Sequence, residues 1–100
     1  MPTLASALES HPRRNLLFIS SPALWTNWPF LPLVRRKPGQ EQEYGVMFDA
    51  MTACDLPGFS ASVFITNMFA MPATLDQFID LPKEVFDSPE EIEAAGWRVD

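Results

Sequence analysis

The most concentrated polar feature of the sequence is the basic run Arg35-Arg36-Lys37, which is followed directly by Pro38-Gly39. Arg13-Arg14 supply two further cations, and Trp25 and Trp28 lie between the two basic stretches. Arginine beside exposed aromatic rings is a combination that binders of single-stranded nucleic acid use. One hypothesis is therefore a site for single-stranded nucleic acid or another anion, carried by the basic run.

The charge distribution weighs against that hypothesis. Residues 1–37 hold five basic residues and one acid, a charge of +4, whereas residues 38–100 hold two basic residues and twelve acids, a charge of −10. The net charge is −6 and the pI is about 4.6. Because a basic surface normally dominates a nucleic-acid-binding domain, nucleic acid is a disfavoured partner. We expect the two halves to neutralise each other, with Glu41 and Glu43 facing the basic run.

Catalytic or metal-binding residues are few. Cys54 is the only thiol and His11 the only imidazole. More than 40 residues separate them, so no base is expected beside the thiol. No spacing of His, Cys, Asp or Glu is typical of a zinc or calcium site, so no metal and no cofactor is predicted. A small enzyme that uses acidic residues or Cys54 is the second alternative, although nothing selects one carboxylate pair.

Length and composition indicate one small folded unit. The chain has 100 residues, of which 47% are hydrophobic and 12% aromatic, and a single compact domain over 1–100 is expected, with a flexible segment at 1–14. Ten prolines keep every helix short. The single cysteine and the lack of a secretory leader or membrane span predict a soluble cytoplasmic protein.

A β-hairpin over residues 31–48 organises the predicted sheet. Pro38-Gly39 predicts a turn closed between Lys37 and Gln40, since Pro sets φ and Gly accepts a positive φ. Pairing outward from that turn places Arg36 opposite Glu41, Leu33 opposite Tyr44 and Leu31 opposite Val46. Leu31, Leu33, Tyr44, Val46 and Phe48 would then share one face.

The other predicted elements follow from local patterns. We expect a short helix over residues 1–10, a buried strand over 15–20, an aromatic loop over 21–32, a connecting loop over 52–58 and an interior strand over 60–69. Thr74 and Gln77 form a capping box for a helix that ends before Pro82. Ser88 and Pro89 start a second helix, with Gly96 after its end. Residues 83–86 and 97–99 are expected to form short edge strands.

These elements predict an α+β fold: a mainly antiparallel sheet of about four strands, with the two C-terminal helices and an N-terminal helix packed on one face. The leading functional hypothesis is a non-enzymatic protein that binds another protein chain or a second copy of itself. The predicted binding residues of the chain are Trp25, Trp28, Arg35 and Arg36. The tryptophan loop is expected to form either part of the core or a contact surface.

Overall fold

A computed structural model describes residues 13–55 and 61–100 of the chain. The helix predicted over residues 1–10, the imidazole of His11 and residues 56–58 of the predicted connecting loop lie outside the described residues. The predicted flexible segment over 1–14 falls almost entirely outside them as well.

A five-stranded antiparallel sheet forms the centre of the molecule, in the order β4-β3-β2-β1-β5. The strands are β1 Phe30–Arg35, β2 Glu43–Phe48, β3 Ser62–Phe64, β4 Lys83–Val85 and β5 Arg98–Val99. The predicted α+β class and the central hairpin are confirmed. Both short C-terminal segments pair as edge strands, which brings the strand count to five rather than about four.

The hairpin turn is confirmed, but the predicted strand register is wrong by one residue. Gln40 donates its N–H to the Lys37 carbonyl at 3.1 Å, and Gly39 has a φ of +75°. The strands, however, pair Arg35 with Glu43 and Leu33 with Gly45, since seven residues separate β1 from β2. A slip of one residue exchanges the two faces of a strand relative to its partner.

The observed register gives the sheet two distinct faces. The tryptophan face carries the buried side chains of Leu31, Leu33, Met47 and Val63, which pack with Ile19, Trp25, Ile92 and Trp97. The phenylalanine face carries those of Val46, Phe48 and Phe64, which pack with Ala50 and Phe78. The predicted grouping of Leu31 and Leu33 with Val46 and Phe48 is therefore wrong.

Within the described residues, four short helices accompany the sheet: α1 Arg14–Ser20, α2 Ala50–Cys54, α3 Leu75–Ile79 and α4 Pro89–Ala94. The predicted caps of the last two are present. Thr74 accepts a hydrogen bond from the Gln77 N–H at 3.2 Å, and Ser88 accepts one from the Glu91 N–H at 3.4 Å. Gly96 follows α4 with a φ of +96°, where glycine is favoured.

The helices pack on both faces of the sheet, whereas the sequence predicted that they would pack on one face. α3 inserts Phe78 among the rings of Phe30, Phe48 and Phe64, with ring centroids 4.3 to 5.5 Å apart. α4 places Ile92 on the tryptophan face. Both faces of the sheet are apolar in their central part, so each face needs its own cover.

The strand predicted over residues 15–20 is wrong, because this segment forms α1. Leu16 and Ile19 are its two buried residues, and their spacing of three places them on one side of a helix. A run of four apolar residues does not distinguish a buried strand from a short helix. Contacts with α4 and β5 decide between them.

Asn15 explains how α1 covers the outer edge of the sheet at β5. Its side-chain oxygen accepts a hydrogen bond from the Val99 N–H at 2.7 Å, and its side-chain nitrogen donates to the Trp97 carbonyl at 3.0 Å. These are the two backbone groups that a neighbouring parallel strand would use. One side-chain amide therefore takes the place of a sixth strand.

Two further predictions need correction. The interior strand expected over 60–69 pairs with its neighbours at Ser62–Phe64 only. Its interior position is as predicted, and the structure places it between β2 and β4. A 3-10 turn at Met68–Ala70 follows, because the Asn67 side chain accepts from the Phe69 N–H at 2.9 Å and starts that turn. The predicted connecting loop after β2 begins as α2, and Phe30 and Pro32 belong to β1 rather than to the aromatic loop.

Candidate functional site

Arg35, a predicted binding residue of the basic run, is buried in the structure. Its side chain lies on the tryptophan face, and the residue is only 7% exposed. The guanidinium donates to both carboxylate oxygens of Glu84, at 2.9 and 2.6 Å, and to Glu43 at 2.6 Å. The sequence prediction paired Arg36 with Glu41 instead, which is the direct consequence of the register error.

Trp97 forms the floor beneath this guanidinium. The Arg35 Cζ lies 4.2 Å from the centroid of the Trp97 ring, and the indole N–H donates to Glu84 at 3.4 Å. Gly45 lets the ring approach β2, because a Cβ at this position would lie 3.0 Å from Trp97 and 2.5 Å from Val63. A cation over a desolvated indole face is a favourable contact in addition to the ion pairs.

The ionisation of this cluster follows from its hydrogen bonds. The Arg35 hydrogen bond lowers the pKa of Glu84, although burial of the carboxyl opposes this, and the Trp97 N–H lowers it further. The Glu84 carboxylate in turn raises the pKa of Arg35, against the effect of burial. The guanidinium therefore binds both carboxylates. We call this closed polar cluster, which joins β1, β2 and β4, the Arg35 clamp; its members are Arg35, Glu43, Glu84 and Trp97.

Other basic residues of the two runs make contacts of their own. Arg36 and Lys37 are exposed beside the hairpin turn, and the Lys37 Nζ lies 3.9 Å from Glu43. On α1, the Arg14 Cζ lies 5.0 Å from the centroid of the Phe18 ring. Arg36 is thus the predicted binding arginine that remains at the surface.

The two tryptophans of the aromatic loop differ. Trp25 is buried on the tryptophan face, where its indole N–H donates to the Phe18 carbonyl at 2.6 Å. Trp28 is 45% exposed, and its indole N–H donates to Asp49 at 2.8 Å. Trp25 belongs to the core, and Trp28 is the member of the predicted pair that a partner could contact.

Metal-binding side chains do not cluster among the described residues. Cys54 is exposed at the end of α2, next to Asp55. Within residues 13–55 and 61–100, no three His, Cys, Asp or Glu side chains lie close enough together to hold a metal ion. The same residues contain no helix that is long and apolar enough to cross a membrane.

The Tyr44–Phe69 pocket is an opening on the phenylalanine face, beside the part that α3 covers. Its volume is about 190 Å³. Phe69 stands at its rim with 99% of its surface exposed, and Tyr44 is 41% exposed. The residues that line the pocket are Asn27, Pro32, Leu33, Tyr44, Gly45, Asn67, Met68, Phe69 and Asp100.

A second pocket of about 250 Å³ lies between α1 and the end of β2, and it is lined in part by Trp25, Met47, Asp49 and Asp87. Sites for drug-sized ligands usually enclose about 300–1,000 Å³. Both openings fall below that range. Their size is closer to that of a single large side chain from a partner protein than to that of a substrate with its catalytic groups.

The sequence prediction missed Phe69, because it included this residue in the interior strand over 60–69. Asn67 was the available signal, since asparagine is a favoured first residue of a helical turn and a poor strand residue. The cap at Asn67 ends the extended conformation and directs Phe69 outward.

Comparison with known proteins identifies no relative: no protein-family model, no curated protein and no solved structure matches the chain.

Proposed function

We propose that the protein is a non-enzymatic binding module that attaches to another protein chain through the Tyr44–Phe69 pocket. The observation that carries the proposal is the exposure of Phe69. A phenylalanine side chain loses about 1.5–3 kcal/mol of transfer free energy when it remains in water instead of being buried. Asn67 holds it there by capping the turn, so a partner would meet a positioned ring beside a pocket.

The chemistry of the surface also supports a protein partner. Aromatic residues near the centre of an interface, surrounded by polar groups, are the usual sites of strong binding contributions. Tyr44 and Phe69 supply the aromatic contacts, and the side chains of Asn27, Asn67 and Asp100 supply polar groups around them. The complementary partner would insert an apolar side chain into the pocket and bury Phe69.

The rival proposal, single-stranded nucleic acid bound at residues 35–37, is weakened by the clamp, because Arg35 is engaged by two glutamates. The proposal of a small enzyme is weakened by the size of the pocket that Asp49 and Asp87 line, which is about 250 Å³ and below the usual range for a ligand site. A cytoplasmic location is part of the proposal and rests on the single cysteine, which cannot form an intrachain disulfide.

Photo-crosslinking at position 69 tests the proposed function. Phe69 is replaced by p-benzoylphenylalanine in the full chain, and the protein is expressed and irradiated in its native cells. The matched control carries the same group at Leu75, another exposed apolar residue, which lies on α3. We expect a covalent adduct with a distinct partner from position 69 alone.

The captured protein is then purified and titrated calorimetrically against the wild type and the Phe69→Ser variant. We expect Phe69→Ser to weaken binding by more than about tenfold, as loss of a central aromatic contact does. Equal affinities of wild type and variant, or identical adducts from both positions, would contradict the proposal.

A further inference from the structure

The outer edge of β4 has hydrogen-bonding groups that face away from the sheet. The Pro82 carbonyl accepts from the Ile65 N–H, and the Phe86 N–H donates to the Ala61 carbonyl, each at 2.8 Å. Residues directed toward the neighbouring strand alternate in an antiparallel ladder. The backbone N–H and C=O groups of Lys83 and Val85 therefore point outward.

This edge differs from the opposite one. At β5 the Asn15 side chain occupies the outward backbone groups, whereas no described residue pairs with the outer side of β4. Open strand edges pair readily with other chains, and short length and a lysine are features that limit such pairing. β4 has only three residues and includes Lys83, so pairing is favoured only where the partner supplies an acid opposite that lysine.

A second copy of this chain satisfies that requirement. We infer that two copies pair antiparallel along β4 about a two-fold axis at Val85, so that each Val85 faces the other and each Lys83 faces Asp87 of the second copy. Val85 is 69% exposed, and its side chain lies on the phenylalanine face together with that of Lys83. The two-fold axis produces the Lys83–Asp87 contact twice.

The same register avoids repulsion between acids. Glu84 projects to the tryptophan face, where it is bound by Arg35, and in this register it faces Phe86 of the second copy rather than another Glu84. The Asp87 N–H is already bound by the Glu91 carboxylate at 2.6 Å, which leaves the Asp87 carbonyl to accept from Lys83 of the second copy.

The strength of the dimer is limited by its length. Stable interfaces usually bury more than about 1,000 Å² in total, and a pair of three-residue strands reaches that area only if flanking residues contribute. We therefore expect a weak dimer in reversible exchange with the monomer. The surface is separate from the Tyr44–Phe69 pocket, since none of the residues 82–88 lines that pocket.

A charge exchange tests the inference by sedimentation equilibrium of the full chain. We expect Lys83→Asp and Asp87→Lys each to raise the dimer dissociation constant by about tenfold or more, since each reversal creates two like-charge contacts. The double variant should restore dimerisation. Lys83 also lies 5.4 Å from the Phe64 ring centroid within its own chain, and because the double variant does not restore this contact, recovery reports the contact between copies.

Arg36→Asp, which makes the same change in charge at an exposed position beside the hairpin turn, is the matched control and should leave the dissociation constant unchanged. Amide hydrogen exchange provides a second readout: the N–H groups of Lys83 and Val85 should become protected as the protein concentration rises.

A wild type that stays monomeric at its highest soluble concentration would overturn the inference, even if a different protein then protects the Val85 amide. A dimer that Lys83→Asp leaves intact, or that Phe69→Ser dissociates, would also overturn it by assigning self-association to another surface. Loss of the captured partner in Phe69→Ser with an unchanged dimer would leave the two proposals independent.

Discussion

The two faces of the sheet differ in whether their aromatic residues are buried or exposed. On the tryptophan face, Trp97 is completely buried and the guanidinium of Arg35 is held between its ring and two carboxylates. On the phenylalanine face, α3 covers one part, and the remainder opens at Tyr44 and the fully exposed Phe69. The tryptophan face therefore buries its aromatic residues, whereas the phenylalanine face presents apolar surface to solvent.

This difference separates residues that stabilise the fold from residues available to a partner. A buried cation is tolerated only where its donors are satisfied, and Arg35 leaves just its Nε without a partner among the described residues. Because the Phe69 side chain contributes little buried area, selection for stability does not account for a phenylalanine at this position. Variants on the two faces should accordingly differ in which property they change.

Trp97→Ala should have the largest effect on the free energy of unfolding. The substitution removes a completely buried indole together with the floor of the Arg35 clamp, and loss of a core tryptophan costs about 3–5 kcal/mol. Urea denaturation followed by circular dichroism measures the change. Phe69→Ala is the control from the other face and should change stability by less than about 0.5 kcal/mol. Similar losses in both variants would remove the contrast between the faces.

Asn15→Ala should have an intermediate effect, because it uncovers the β5 edge. The Val99 N–H loses its side-chain partner, whereas the Trp97 carbonyl still accepts a hydrogen bond from Arg98 at 3.0 Å. A half-buried polar group left unsatisfied costs about 1–3 kcal/mol. Amide exchange at Val99 should accelerate more than exchange at β3. An unchanged rate at Val99 would show that Asn15 does not protect this edge.

Of the three variants, Glu84→Gln should lower the free energy of unfolding least, and its effect should be larger at neutral pH than at acidic pH. The folded protein lowers the pKa of Glu84, so its contribution is fully present above the ordinary glutamate pKa of about 4.3 and is lost as the pH falls through the lower, folded value. Urea midpoints should therefore fall less steeply with acidification in Glu84→Gln than in the wild type. Parallel pH profiles would contradict the assigned role of the clamp.

Several elements were predictable because their signals are local. Thr74 with Gln77, Ser88 with Pro89, and Gly96 identify the ends of α3 and α4 through hydrogen bonds within a few residues. The Lys37–Gln40 turn was predictable for the same reason. The interior position of β3 followed from its apolar residues on both faces.

The candidate site was predictable only in part, because it depends on contacts between distant segments. The sequence indicated that the basic run would meet glutamates, but it did not distinguish Arg35 from Arg36, since a register shift of one residue exchanges them. The partner Glu84 lies 49 positions from Arg35 in the sequence. No local pattern connects these two residues.

Sequence alone determined the α+β class, the central hairpin and the capped C-terminal helices of this protein, because hydrogen bonding and φ preferences within a few residues decide them. Tertiary structure decided that residues 14–20 form a helix, that Arg35 is buried and that Phe69 is exposed. Each of these depends on what lies opposite the segment in space: β5 and α4 against α1, Trp97 against Arg35, and open solvent against Phe69.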